Sequence, residues 1–201
     1  MRADARRNLD KIVEAAAAVM AERGVGVPME AIARRAGVGV GTLYRRFPDR
    51  NALIAAIGEH YVHSLAEALR EAAENAPDAW SGLRGFVLWA VNPGRAALAT
   101  ALAELPDETF LDMAEFAVTR RRWLEGLDEL VRRAQAEGGM RADVDTEDVV
   151  SLMNLFVCHP ADLPAHVAAQ PVRFLHLMLD GMQASAATRL PGDPAEDAPR
   201  V

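Results

Sequence analysis

Val40, Gly41, Tyr44 and Arg45 fall at i, i+1, i+4 and i+5, a spacing that collects them on one helical face. Arg46 and Arg50 flank them. Small residues followed by an aromatic hydroxyl and guanidinium groups suit a short helix that enters the major groove of DNA, where side chains read base edges. An ordinary helical hairpin with a solvated basic face is the plainer alternative. A second group with chemical potential is Cys158-His159, with Asp162 and His166 nearby. Adjacent residues point in different directions on a helix, and Pro160 interrupts at once, so a structural cysteine is expected. His60 and His63 are three residues apart, but a metal needs a third or fourth ligand that the sequence does not place. No phosphate-binding glycine loop, nucleophile elbow or His-Glu metal motif occurs, so neither a cofactor, a metal nor an enzyme is implied.

The elements that must position this face lie between Val27 and Arg50. Met29, Ile32, Ala33 and Ala36 repeat at three-four spacing and predict a helix with one apolar side. Gly37 follows, where a left-handed residue can end the helix and turn the chain. The small Ala33, one turn earlier, lets a second helix approach. That helix starts near Gly39 to Gly41, turns Leu43 and Phe47 inward, and is stopped by Pro48. Ahead of the pair, Leu9, Ile12, Val13, Ala16 and Met20 form the stripe of a first helix ending at Arg23-Gly24 and packing behind it. Arg2, Arg6 and Arg7 precede that helix as a terminal basic cluster, either solvated or reaching phosphate.

The run from Ala31 to Ile54, AIARRAGVGVGTLYRRFPDRNALI, resembles the DNA-binding signature of the tetracycline-repressor (TetR) family of transcriptional regulators. The points of resemblance are Ile32-Ala33, Ala36-Gly37-Val38, Gly41-Thr42-Leu43-Tyr44, Phe47-Pro48 and the basic Arg50 before Leu53. The resemblance implies that Thr42, Tyr44 and Arg50 hold phosphates, that Arg45 reads a guanine edge and that Val40 touches a thymine methyl. Gly39, Gly41 and Arg46 belong to the same DNA-facing set. The sequence departs from the family pattern at the start of the second helix. Val27 and Pro28 stand where similar proteins place Ser or Thr, so a phosphate contact there must use a backbone N–H such as that of Met29.

The net charge of −7 is unexpected for a partner of DNA. Residues 1–50, however, carry ten Lys/Arg against six Asp/Glu, a net of +4, which leaves −11 on the remainder. A basic head on an acidic body approaches DNA in one orientation. At 201 residues the chain suits one or two domains with a proper core. There is no apolar run long enough to span a bilayer, and the charged start MRADARRNLDK is unlike a signal peptide, so a cytoplasmic location is expected. The single cysteine excludes an internal disulfide.

Beyond Arg50 the pattern is helical throughout, with neither strand signal nor internal repeat. A long helix is expected from Arg50 to about Asn75, then helices over Trp80–Val91, Arg95–Glu104 and Phe110–Glu137. Another starts at an Asp145 N-cap and is apolar nearly all round, and a last one runs from Val172 to about Thr188. Arg120, Arg121 and Arg122 read as an exposed helical face rather than a second DNA contact. The expected fold is all-α: a three-helix head over residues 1–50, a ligand-binding and dimerisation body over 51–188, and a disordered tail over 189–201. The resemblance implies that the two C-terminal helices pair with those of a second copy. Two heads then meet successive major grooves roughly 34 Å apart on a palindromic operator. It also implies a chamber in each body whose small-molecule occupant releases the DNA. Candidate walls are Trp80, Phe86, Trp89, Phe110, Met113, Phe116, Trp123, Met153 and Phe156, which suit an apolar or amphipathic effector. The sequence thus reads as a ligand-responsive repressor without a membrane partner. A helical carrier without DNA function, or an enzyme using the chamber, are the alternatives. The presence of Thr42, Tyr44 and Arg50 argues against the first, and the missing catalytic constellation against the second.

Overall fold

The computed structural model describes residues 2–103, 105, 114–157, 163–185, 188 and 190. Ten helices occupy these residues: α1 (Arg2–Arg23), α2 (Met29–Ala36), α3 (Val40–Arg46), α4 (Arg50–Asn75), α5 (Ala79–Ala90), α6 (Pro93–Ala103), α7 (Ala114–Ala136), α8 (Thr146–Val157), α9 (Ala165–Ala168) and α10 (Pro171–Gly181). No strand occurs among the described residues, only an isolated antiparallel bridge between Met140 and Gln183. The all-α expectation holds. The chain divides into two compact units, residues 1–64 with 93–120, and residues 65–92 with 121–201.

The first unit closes over one apolar core. Ile12, Ala16 and Met20 of α1, Ile32 and Ala33 of α2, Leu43 of α3, and Leu53 and Ile57 of α4 are all buried in it. These are the positions that three-four periodicity assigns inward, and together they make the three-helix arrangement with α4 as its continuation. Leu98 and Leu102 of α6 join the same cluster. No local signal marks that arrival, because α6 comes from a segment far along the chain.

The second unit is ordered by caps and close backbone approaches. Asp78 accepts from Ser81 N at 2.7 Å and starts α5. Asp145 and Asp148 form a reciprocal capping box at the head of α8: Asp148 N donates to Asp145 Oδ1 at 2.9 Å and Asp145 N to Asp148 Oδ2 at 3.1 Å. Gly82 lies against the Ala72 carbonyl, where an added Cβ would stand 2.8 Å from its oxygen, so α5 crosses α4 at a contact only glycine permits.

The last helix is shorter than its pattern suggests. It ends at Gly181 instead of near Thr188. Beyond it the backbone pairs elsewhere, as Arg141 N donates to Met182 O at 3.0 Å and Ala184 N to Gly139 O at 3.2 Å. Tertiary hydrogen bonds replace the helical ones, and helical periodicity cannot report that competition. Nor is the one-turn α9 visible in the pattern. Of the expected tail, only Leu190 lies within the described residues.

Candidate nucleic-acid interface

The α2–α3 turn is built as the sequence requires. Gly37 has φ +69°, a left-handed conformation, and its N–H reaches back to the Arg34 carbonyl while Val38 N reaches Ala33 O at 3.0 Å. Gly39 is the extended N-cap of α3, and Thr42 N and Leu43 N both donate to its carbonyl. Leu43 is fully buried and anchors α3 by its inner face. Phe47, also buried, closes the helix.

Anchoring that face turns the other one outward. Val40 is 37% exposed and Tyr44 44% exposed, both large side chains that a folded core would otherwise claim. Gly39, Gly41, Arg45 and Arg46 are exposed beside them, and Thr42 is half-buried. Arg45 Nη2 donates to Thr42 Oγ1 at 3.2 Å, so the hydroxyl and the guanidinium are linked on one turn. The structure thus brings Val40, Gly41, Thr42, Tyr44 and Arg45 together on a single short helix. Met29 sits at the start of α2 with its side chain buried. Pro28 is the N-cap and supplies no side-chain hydrogen bond, so only the α2 backbone N–H groups are available there, as the missing hydroxyl implies.

Arg50, expected to hold a phosphate, is engaged within the head. Its side chain is half-buried, and its two terminal nitrogens donate to the backbone carbonyls of Val25 and Val27. The guanidinium ties the first residue of α4 to the loop that launches α2. It therefore positions the helix-turn-helix from within, a role invisible in local spacing because its partners lie 23 and 25 residues earlier. Nearby, Asp49 caps α4 by accepting from Ala52 N at 2.8 Å.

The head holds arginines outside the DNA-facing set. Arg23, Arg34 and Arg35 line a pocket of about 480 Å³ between α1 and α2, with Val19 and Ala31. Arg35 is ion-paired there with Glu22 at 3.1 Å. Ala31, Arg34 and Arg35 share the outward side of α2, one turn apart, while Met29, Ile32 and Ala33 fill the core.

The candidate effector residues are distributed unevenly. Trp80, Phe86, Trp123, Met153 and Phe156 are buried in the second unit, and Trp89 is half-buried with its ring stacked on Phe86 at 6.2 Å between centroids. Phe116 is half-buried and belongs to the first unit. Phe110, Met113, Cys158 and His159 lie outside the described residues.

Comparisons with known proteins agree with this geometry. Residues 12–57 match the family model for bacterial regulatory proteins of the tetR family, and residues 80–184 match the C-terminal domain model of SbtR-like transcriptional regulators. The fold is similar to a TetR transcription regulatory protein from Mycobacterium vanbaalenii, at 30% identity and a TM-score of 0.69, over 90% of this chain and 98% of that one. It is also similar to a TetR transcriptional regulator from Streptomyces coelicolor, at 30% identity and a TM-score of 0.66, over 88% of this chain and 99% of that one. An HTH-type transcriptional regulator from Staphylococcus aureus is 44% identical over 54 residues, 26% of this chain, and the match spans 29% of that relative's length.

Proposed function

The chain belongs to the tetR family of bacterial regulatory proteins, and from that premise we propose that it is a ligand-responsive repressor that binds a palindromic operator as a homodimer. The observation that carries the DNA reading is the outward face of α3. Val40 and Tyr44 are held in solvent by a buried Leu43, beside Arg45, on a head of net charge +4. Arg45 reads a guanine edge, Val40 packs on a thymine methyl, and Thr42, Tyr44 and Arg46 hold phosphates. Gly39 and Gly41 let the α3 backbone approach the duplex, and the Met29 N–H meets a phosphate at the start of α2. Arg50 contributes by positioning.

Support for the homodimer comes from the apolar surface of α8 and α10. Leu155 of α8 is exposed, and on α10 Leu177 is 57% and Met178 42% exposed, as is Val172 of the same helix. A pair of helices that leaves such side chains in water gains by burying them against a second copy. The aromatic residues of the second unit support an apolar or amphipathic effector.

The test is a footprint and gel-shift series on the DNA flanking the protein's own gene. Protection of a palindrome is expected, with log affinity falling against log salt at about −0.9 per neutralised phosphate. Absence of binding at low salt would remove the regulator reading.

A further inference from the structure

We propose that the effector is a neutral, largely apolar molecule bearing a hydrogen-bond acceptor, and that the indole N–H of Trp123 donates to it. This deepens the ligand-responsive reading and rests on it. Trp123, on α7, is 8% exposed. Its Nε1 is the one buried side-chain nitrogen or oxygen among the described residues that lacks a hydrogen-bond partner. An indole N–H removed from water loses its solvent hydrogen bond, and tryptophans in protein interiors regularly recover it from an acceptor. Among the described residues nothing accepts from the Trp123 N–H.

The composition of the described interior limits what can answer it. No polar or charged residue is buried among the described residues, and Trp80, Phe86 and Phe156 of the same unit are buried aromatics. A ligand carboxylate in such an interior would lack a buried cation, and an unpaired buried charge is far more costly than an unpaired dipole. A ketone, ester or ether oxygen asks only for one donor. A trapped water is less suited, because it needs two or more polar partners and no buried polar side chain supplies them.

The experiment uses the full-length protein labelled with ¹⁵N, whose three tryptophans give three indole cross-peaks. Trp123→Phe assigns one of them, and if that variant does not fold, Trp80→Phe and Trp89→Phe assign it by elimination. The probes are 2-decanone, decane and decanoate, each also competed against the neutral dye N-phenyl-1-naphthylamine. The ketone is expected to shift the Trp123 indole peak and to displace the dye about three- to tenfold better than decane, the margin of one net hydrogen bond. That margin disappears in Trp123→Phe, or, if that variant does not fold, a shift of the peak assigned by elimination with the ketone and not with decane reports the bond. Ketone no better than decane, decanoate better than ketone, or a Trp123 peak that stays in place as the ketone binds would overturn the assignment while leaving a ligand site in the body. A protein that takes up neither the dye nor any probe would instead refute the ligand-responsive reading itself.

Discussion

Replacing Arg50 with alanine separates two roles for one guanidinium. If Arg50 is the brace described above, Arg50→Ala removes two charge-assisted hydrogen bonds to the Val25 and Val27 carbonyls. A hydrogen bond to a charged group contributes about 1.5–3 kcal/mol when buried, and the half-buried setting reduces each, so the pair together contributes about 2–3 kcal/mol. Arg50→Lys keeps the charge but replaces a planar fork by a single nitrogen, and recovers about half of that. The loss falls on the loop that starts α2, so amide exchange of Ile32 and Ala33 accelerates about 30- to 150-fold in Arg50→Ala. A phosphate ligand behaves differently: its removal leaves exchange unchanged and flattens the salt dependence of operator binding by about 0.9 per monomer. The assay is therefore hydrogen exchange on the free protein together with a salt series on the complex. Unchanged exchange with a flattened slope would refute the bracing role and restore Arg50 to the DNA contacts.

Arg45→Ala should cost about 1–3 kcal/mol of operator affinity and relax preference at one base pair per half-site, whereas Tyr44→Phe should weaken all sequences alike; competition against single-base operator variants distinguishes the two, and uniform weakening by Arg45→Ala would remove its base-reading assignment. Gly139→Ala would place a Cβ 2.6 Å from Trp80 Cβ, a contact that no side-chain rotation relieves, and should destabilise the protein by about 1–3 kcal/mol in urea unfolding. Asp143 accepts from Arg141 Nη2 at 2.8 Å and from Leu190 N at 3.1 Å, and the Arg141 hydrogen bond first, then that of Leu190, holds its carboxyl well below the usual carboxylate range. With the folded-state value depressed, its contribution is complete above the ordinary value near pH 4 and fades as pH falls toward the depressed one. Asp143→Asn should therefore lose less stability than the parent between pH 5 and pH 2, and parallel losses in urea titrations across that window would contradict the role given to the pair.

Much of the candidate DNA-facing surface was legible locally. Helical spacing placed Val40, Gly41, Tyr44 and Arg45 on one face, and the structure holds them there because Leu43 and Phe47 on the opposite face are buried. The Asp145 start of α8, the end of α1 at Arg23 and the span of α4 were legible for the same reason, since caps and breakers act within a few residues. Arg50 was not, because its partners approach from a loop more than twenty residues away. The end of α10 was misread because backbone groups beyond Gly181 bond to residues 139 and 141.

The amino-acid sequence by itself determined the longer helices apart from the end of α10, the sharp turn at Gly37, the basic head and the family resemblance, because periodicity, capping and composition are properties of neighbouring residues. Only the tertiary structure decided which groups are shared between distant segments. Packing brings Leu98 and Leu102 into the head core, commits Arg50 to two backbone carbonyls, and leaves the Trp123 N–H unpaired. Each of these depends on where a remote segment comes to rest, and no local rule of chain conformation carries that information.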